Sequence, residues 1–229
     1  GYNLLDAPLE KNVPLLVSNI EKLGFDPKQI RILLNSHAHC DHAGGFAAIK
    51  AKTGARLYLS TEDAQLAARG GRNDFAFGDD ATYPPVVADR IVVDGESVTL
   101  GGTTLRALLT PGHTKGNTTW TTRVHDGGRE LFVIFAPSLS APGYKLVANE
   151  AYPKIVDDYR ATFDRLARLK PDVFLATHGS FFDLEKKEAA RRAGAKQNSF
   201  IAPNEYLEFV ESWRKAYERS LANQKQPAK

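Results

Sequence analysis

Residues 36–45 read Ser-His-Ala-His-Cys-Asp-His-Ala-Gly-Gly, and this stretch decides how the sequence is interpreted. It follows an apolar run at residues 30–34 and places four metal-binding side chains within six positions: His37, His39, Asp41 and His42. Zinc binds imidazole nitrogen and carboxylate oxygen, and a catalytic zinc site commonly takes three protein ligands and leaves one position for water. Four such side chains are more than one ion needs and fewer than two ions need. The pattern therefore predicts that further ligands come from elsewhere in the chain.

Two more histidines lie in similar settings downstream. His113 follows Thr110-Pro111-Gly112, and His178 follows Ala176-Thr177, in each case just after a predicted strand. With them the candidate ligands number six, which makes two sets of three. Clustered histidines can also be surface or core residues without a metal role. We favour metal ligation because ligand clusters at strand ends are a setting in which a short motif is informative.

Hydrophobic periodicity predicts strands and helices in mixed order, which suggests sheets with helices packed outside them. Strands are predicted at residues 30–34, 57–59, 90–94, 97–100, 103–109, 117–124, 130–135 and 173–176. Helices are predicted at residues 13–23, 45–54, 61–68, 155–169, 184–194 and 204–222. Ser60 or Thr61 is expected to cap the third of these helices. Since each ligand group follows a strand, we expect the ligands to converge on one edge of the sheets.

The composition argues against several classes of function. Of the 229 residues, 42% are hydrophobic and 25% are charged, and the formal net charge is +3, which suits an ordinary globular protein. So small a charge, without basic runs interleaved with aromatic residues, argues against a nucleic-acid partner. No stretch approaches the roughly 18 consecutive apolar residues of a membrane span, so no membrane association is expected. Without repeats or low-complexity linkers, residues 1–229 are interpreted as one domain.

The six ligands predict hydrolytic chemistry at a pair of zinc ions. Two zinc ions ~3.5–4 Å apart can share a hydroxide, which is available at neutral pH because the metal lowers the pKa of water to about 7. One ion can also polarise a carbonyl group while the other stabilises the leaving group. Alternation along the loop is expected to direct His37 and His39 the same way, with Asp41 and His42 offset towards the second ion.

The histidine loop with its downstream histidines resembles the metallo-β-lactamase superfamily, and subclass B3 metallo-β-lactamases most of all. The similarity extends over nearly the whole chain, with supporting segments at residues 68–71, 82–85, 89–92, 110–114, 138–144 and 152–159. The resemblance implies an α/β fold, a four-layer αββα sandwich. It also implies that the first zinc is held by His37, His39 and His113, and the second by Asp41, His42 and His178.

The same resemblance implies a di-zinc β-lactamase that confers antibiotic resistance. Such an enzyme hydrolyses the lactam amide of penicillins, cephalosporins and carbapenems by attack of a metal-bound hydroxide, in which Asp41 takes part. The implied partner is a small-molecule β-lactam. A monomer with a periplasmic or secreted location is expected.

The residue type at position 138 distinguishes β-lactamases from other hydrolases of the superfamily. Thioester hydrolases, lactonases and nucleases of the superfamily have a metal-bridging aspartate at this point, whereas this chain reads Phe135-Ala-Pro-Ser138. The resemblance assigns the Ser138 hydroxyl to orienting metal-bound water and the Ser140 hydroxyl to binding the substrate carboxylate. Both serines could instead be ordinary turn residues.

Two further expectations concern Cys40 and the first residues. Cys40, the one cysteine in the sequence, lies between better-placed ligands and is expected to be a small packing residue without a metal role. Family members have additional N-terminal strands, and residues 1–6 look like the end of the last of them. The first sheet is therefore expected to have an open edge.

Two alternatives to a β-lactamase stay open. One is another hydrolase of the superfamily, acting on thioesters, lactones or phosphodiesters. The other is a zinc-binding homologue without turnover.

Overall fold

The computed structural model describes residues 1–195 and 197–226. Within these residues the strands are β1 (Tyr2–Leu5), β2 (Ile30–Leu34), β3 (Arg56–Leu59), β4 (Arg90–Ile91), β5 (Ser97–Leu100), β6 (Thr103–Leu109), β7 (Thr118–Asp126), β8 (Arg129–Ala136) and β9 (Val173–Ala176). The α-helices are α1 (Val13–Lys22), α2 (Cys40–Ala43), α3 (Phe46–Thr53), α4 (Thr61–Ala68), α5 (Ile155–Leu166), α6 (Leu184–Arg192) and α7 (Pro203–Lys225). None of these helices combines the length and apolar character that crossing a membrane requires.

The strands form two sheets. The first sheet has the order β1-β2-β3-β4 and is parallel throughout, with β1 at one edge. The second sheet has the order β5-β6-β7-β8-β9, in which the first four strands run antiparallel and β9 pairs with β8 in parallel. The predicted ligand loops follow β2 in the first sheet and β6 and β9 in the second.

Three apolar clusters separate four layers. The first cluster packs α1, α3 and α4 on the outer face of the first sheet and includes Phe46, which is fully buried. The second lies between the two sheets and includes Leu34 and Trp120. The third packs α5 and α7 on the second sheet through Tyr159 and Phe174. The predicted αββα fold is therefore confirmed.

Most predicted elements form where expected, since β2, β6 and β9 have the predicted bounds. The strand predicted at residues 90–94 is wrong beyond Ile91. Its partner β3 ends at Leu59, and the chain then turns into α4, so later residues have no strand to pair with. The predicted cap is also wrong, because no side chain caps α4. The Ser60 hydroxyl donates instead to the carbonyl of Gly116, 2.7 Å away.

Candidate metal centre

The histidine loop changes conformation in its middle. His39 is extended, with φ −81° and ψ 160°, and the single helical turn α2 begins at Cys40. Sequence periodicity did not predict this turn. Side chains before and after it therefore contribute to two neighbouring groups of ligand atoms, one of His37, His39 and His113 and the other of His37, Asp41 and His42. Within each group the ligand atoms lie no more than 4.8 Å apart.

The first predicted set is buried and compact. His37, His39 and His113 are 1%, 7% and 6% exposed. Nδ1 of His39 lies 3.1 Å from Nε2 of His113, and the ring of His37 is edge-on to both. The structure therefore brings together the three histidines that were predicted to share one ion.

The second predicted set lies beside the first and is more open. Nε2 of His42 is 3.2 Å from Oδ2 of Asp41 and 3.2 Å from Nε2 of His178. Nε2 of His178 is in turn 3.7 Å from Oδ2 of Asp41. His42 is buried, whereas the side chains of Asp41 and His178 are 48% and 40% exposed. An ion at this position would be accessible to substrate.

The second ring nitrogen of three of these histidines is held by the protein. Nδ1 of His113 lies 2.8 Å from the carbonyl oxygen of Ser140. Nδ1 of His42 lies 3.1 Å from Oδ2 of Asp6, and Nδ1 of His37 lies 3.1 Å from the hydroxyl oxygen of Ser36. A histidine that donates from one nitrogen keeps the lone pair of the other free, which is the usual arrangement around a ligated metal.

The spacing of the facing nitrogens fits metal binding. Zinc–nitrogen bonds of about 2.0–2.1 Å in tetrahedral geometry place two ligand nitrogens about 3.3 Å apart. The 3.1 Å and 3.2 Å separations in the two sets are close to this value. Histidine and carboxylate ligands without a thiolate or a ring of carbonyl oxygens suit zinc better than calcium or magnesium.

Burial and neighbouring charges set the protonation of the cluster. Burial lowers the pKa of His39 to about 4 and that of His113 to about 3, and burial with the adjacent imidazoles also lowers the pKa of His37. Burial works against the charge of His42, but hydrogen bonds to Asp41 and Asp6 outweigh it and raise its pKa to about 9. The first set therefore consists of neutral imidazoles at pH 7, the form that binds a metal.

Asp6 contacts the predicted ligands and their loop, and the sequence analysis did not single it out. It directly follows β1, has a φ of 63°, and accepts hydrogen bonds from the backbone N–H and the hydroxyl of Ser36, both at 2.6 Å. The same carboxylate contacts His42 and the side-chain amide of Asn35. Asp6 thus orients one histidine directly and, through Ser36, His37 as well. Its position at a strand end was the only available signal.

The remaining predicted residues line one cavity of about 260 Å³ over the predicted metal ligands. Ser138 is 2% exposed, and its hydroxyl lies 3.2 Å from that of Thr177. The Ser140 hydroxyl lies 3.4 Å from Nδ1 of His113. Cys40 is partly buried in the cavity wall.

A larger groove of about 710 Å³ on the second sheet is lined by arginine, threonine and apolar residues and contains none of the predicted ligands.

Aromatic side chains flank the ligands. Phe77 packs edge-on against His39, and Phe181 packs edge-on against His178, with ring centroids 5.1 Å and 5.0 Å apart. Both phenylalanines line the cavity. They give it apolar side walls that sequence periodicity did not predict, because they lie in a long loop and a short 3₁₀ turn.

The segment after Ser140 is held in place by the last helix. The Tyr144 hydroxyl donates to the carbonyl oxygen of His113 at 3.0 Å. Gln224 of α7 donates to the carbonyl of Tyr144 at 2.8 Å and accepts from the N–H of Leu146 at 2.7 Å. Helix α7 thus fixes the segment that follows Ser140, and Tyr144 of that segment contacts the His113 loop.

Known proteins match this chain at the level of family and of fold. Residues 4–178 match the family model of the metallo-beta-lactamase superfamily. A solved metallo-beta-lactamase of Cronobacter sakazakii with a HARLDQ motif is 44% identical, with a TM-score of 0.94, covering 99% of this chain and 86% of that one. At residues 37–42 this chain instead reads His-Ala-His-Cys-Asp-His. BJP-1, a subclass B3 metallo-beta-lactamase of Bradyrhizobium japonicum, is 39% identical, with a TM-score of 0.91, covering 97% of this chain and 84% of that one.

Curated relatives differ in their named activity. A hydroxyacylglutathione hydrolase of Rhodopseudomonas palustris is 29% identical over 197 residues, which cover 84% of this chain and 66% of that protein. The chain spans between 30% and 66% of the length of six curated relatives that it matches.

Proposed function

The chain belongs to the metallo-beta-lactamase superfamily, and from this premise we propose that it is a metal-dependent hydrolase that opens the ring of β-lactams. The proposed substrates are penicillins, cephalosporins and carbapenems. The proposed cofactor is a pair of zinc ions, one held by His37, His39 and His113, the other by Asp41, His42 and His178. A monomeric enzyme that acts in the periplasm or outside the cell is part of the same proposal.

The residues around the cavity have separate roles in this proposal. Bound zinc would supply a lowered pKa for water and polarisation of the substrate carbonyl. Asp41, the one carboxylate among the six ligands, lines the cavity and can orient the attacking water. The Ser138 hydroxyl would donate to that water, and the Ser140 hydroxyl to the substrate carboxylate. Phe77 and Phe181 would exclude bulk water from the two sides.

The choice of a β-lactam rests on Ser138. The superfamily's thioester hydrolases, lactonases and nucleases are expected to have a metal-bridging aspartate after the strand that corresponds to β8. Here the chain offers a buried hydroxyl, which is a poor zinc ligand, in contact with Thr177. High structural similarity to metallo-beta-lactamases, including one of subclass B3, supports the same choice.

A thioester hydrolase is the second candidate. The curated relatives named hydroxyacylglutathione hydrolase favour it, at 25–36% identity. This candidate requires the metal pair to function without a bridging carboxylate from the residue after Pro137.

One set of assays separates the candidates. The purified chain is loaded with zinc, its metal content is measured, and hydrolysis of a penicillin, a cephalosporin, a carbapenem and an S-acyl glutathione thioester is followed. We expect two zinc equivalents per chain and turnover of the β-lactams. A chelator should abolish this turnover, and added zinc should restore it. Chelator-sensitive turnover of the thioester alone would replace the proposal with the second candidate. Zinc binding without turnover of any of the four would assign the chain to the inactive homologues.

A further inference from the structure

The side chain of Asp63 connects the two loops that carry the first set of histidines. Asp63 is the third residue of α4 and is 2% exposed. Its Oδ2 accepts from the backbone N–H of Ala38 at 2.9 Å and from the hydroxyl of Thr114 at 3.2 Å. Its Oδ1 accepts from the backbone N–H of Gly116 at 3.1 Å. One buried carboxylate therefore binds the residue between His37 and His39 and also the residues that follow His113.

These contacts cross from one sheet to the other. Ala38 belongs to the loop after β2 in the first sheet, whereas Thr114 and Gly116 belong to the loop between β6 and β7 in the second. The carbonyl of Ala38 is fixed as well, by the Tyr83 hydroxyl at 2.7 Å. Both backbone polar groups of Ala38 are therefore hydrogen-bonded. Asp63, which accepts from the N–H of Ala38, also bonds the loop of the second sheet.

The start of α4 uses its polar side chains for this connection and not for its own cap. Ser60 and Asp63 have the spacing of a capping box, in which the two side chains would bond the backbone of their own helix. Instead the Ser60 hydroxyl donates to the carbonyl of Gly116, and Asp63 accepts from its N–H. Both backbone polar groups of Gly116 are thus held, one by Asp63 of α4 and the other by Ser60, which directly precedes the helix.

Gly116 has to be glycine for this approach. A Cβ atom at this position would lie 2.5 Å from Oδ1 of Asp63 and 2.5 Å from its backbone nitrogen. Such contacts are far inside van der Waals separation, so the loop would have to move away from α4. The close contact between α4 and this loop therefore requires glycine at position 116.

We propose that Asp63 is a positioning residue of the metal site, which sets the separation between His39 and His113 by bonding both of their loops. The inference rests on the proposed function insofar as these histidines hold a metal. Without the carboxylate other links between the sheets remain. For example, the N–H of Thr118 donates to the carbonyl oxygen of Ser36 at 2.7 Å. We therefore expect altered ligand geometry in a folded protein.

The main variant is Asp63→Asn, and Glu62→Gln is its matched control on the neighbouring exposed residue of α4. An asparagine at position 63 has one acceptor oxygen and one NH₂ group, so in either orientation a backbone N–H of Ala38 or Gly116 faces another donor. Zinc affinity is measured by competition with a chelator, and the absorption spectrum of the cobalt-substituted protein reports ligand geometry. Thermal unfolding of the metal-free protein is measured separately.

We expect Asp63→Asn to lower zinc affinity at the first site by about 10- to 100-fold, the range found when residues supporting metal ligands are changed. Its cobalt spectrum should differ from that of the parent, whereas Glu62→Gln should match the parent in both. A loss of metal-free stability with unchanged affinity and spectrum would make Asp63 purely structural and overturn the inference. Absence of metal binding in the parent chain would instead overturn the proposed function, and the inference with it.

Thr114→Val keeps the test decisive if Asp63→Asn does not fold. Valine preserves the branched shape of Thr114 but removes its hydrogen bond to Asp63. We expect a smaller loss of zinc affinity, about two- to tenfold, as for the loss of one neutral hydrogen bond, and a shifted cobalt spectrum. Parental affinity and an unchanged spectrum in Thr114→Val would contradict the positioning role.

Discussion

Oδ2 of Asp6 lies 3.1 Å from Nδ1 of His42, and the same oxygen accepts the Ser36 hydroxyl at 2.6 Å. Ser36 in turn contacts His37, so one carboxylate is connected to a histidine of each predicted ligand set. Carboxylates that accept from a ligand histidine fix the ring and increase its basicity. Asp6 therefore contacts the supports of both proposed ion sites, although it belongs to neither proposed ligand set.

Asp6→Asn should weaken the second metal site more than the first. An amide placed here presents a donor to at least one of the groups that now donate to the carboxylate, and His42 loses its anionic partner. We expect a loss of about 10- to 100-fold in affinity for the second zinc. Stepwise zinc titration monitored by calorimetry checks this, with Asp26→Asn at an exposed helix start as the control. Two unchanged binding steps would contradict the role given to Asp6.

Asp41→Asn should abolish hydrolysis while the first ion stays bound. Asp41 contacts His42 and His178 but belongs to no group of ligand atoms with His39 and His113. Because it is the one carboxylate among the ligands, its loss removes the charge compensation of the second ion. Metal analysis and steady-state kinetics on one preparation test this. Near-parental turnover with two zinc ions bound would show that the second site is not catalytic.

Cys40→Ser should leave metal content and activity unchanged. The thiol lies in the cavity wall at the start of α2, and in the described part of the chain neither group of close ligand atoms includes it. Serine is similar in size and a much poorer zinc ligand. The measurement is zinc content together with the kinetic constants for one β-lactam. Loss of one zinc equivalent would instead make Cys40 a ligand.

Ser140→Ala and Ser138→Ala should affect different kinetic constants. The carbonyl of Ser140, which orients His113, survives the substitution, so metal binding should persist while the substrate carboxylate loses a donor. A hydrogen bond to a charged group contributes about 1.5–3 kcal/mol, so KM for carboxylate-bearing substrates should rise by roughly ten- to a hundredfold. Ser138→Ala should lower kcat, because its proposed partner is the attacking water. Parental kinetics in both variants would reduce the two serines to turn residues and weaken the case for β-lactams.

Asp94→Asn should change how stability depends on pH. Partial burial would raise the pKa of Asp94, but hydrogen bonds from Arg165 and the N–H of Leu109 outweigh it and lower the pKa. A lowered pKa stabilises the fold above the unfolded value of about 3.9, and this contribution is lost as the pH falls through the folded value. Since the pair is half exposed, we expect the parent to exceed the variant by at most about 1 kcal/mol at pH 7. Urea unfolding at pH 7 and below pH 3 should show this difference shrinking with acidity; a constant difference would contradict it.

The fold was predictable where short apolar runs mark buried strands. Residues 30–34 and 173–176 are such runs, and they form β2 and β9 as predicted. The strand at 90–94 was predicted too long because its length depends on where β3 ends, and periodicity in one segment cannot show that. Local patterns thus located the elements, and pairing decided their extent.

The candidate ligands were predictable because their spacing is itself local. The groups that support them were not, since their partners are remote in sequence: Asp6 contacts a residue 30 positions away, and Asp63 contacts one 53 positions away. For Asp63 the local pattern was misleading, because its spacing from Ser60 is typical of a helix cap. The contact between the backbone carbonyl of Ser140 and His113 was also not predictable, since it does not depend on the side chain of Ser140.

The link from Gln224 to Tyr144 has a consequence for how the protein is made. Four of the six candidate ligands lie within residues 37–42, so they leave the ribosome long before His113, His178 and the supporting helix. A nascent chain would expose a histidine-rich loop that cannot yet form either ligand set. Gln224 can bond the segment after Ser140 only when α7 has been translated and docked. Tight metal uptake should therefore be a late event in biogenesis, and metal content a measure of how much of the chain has finished folding.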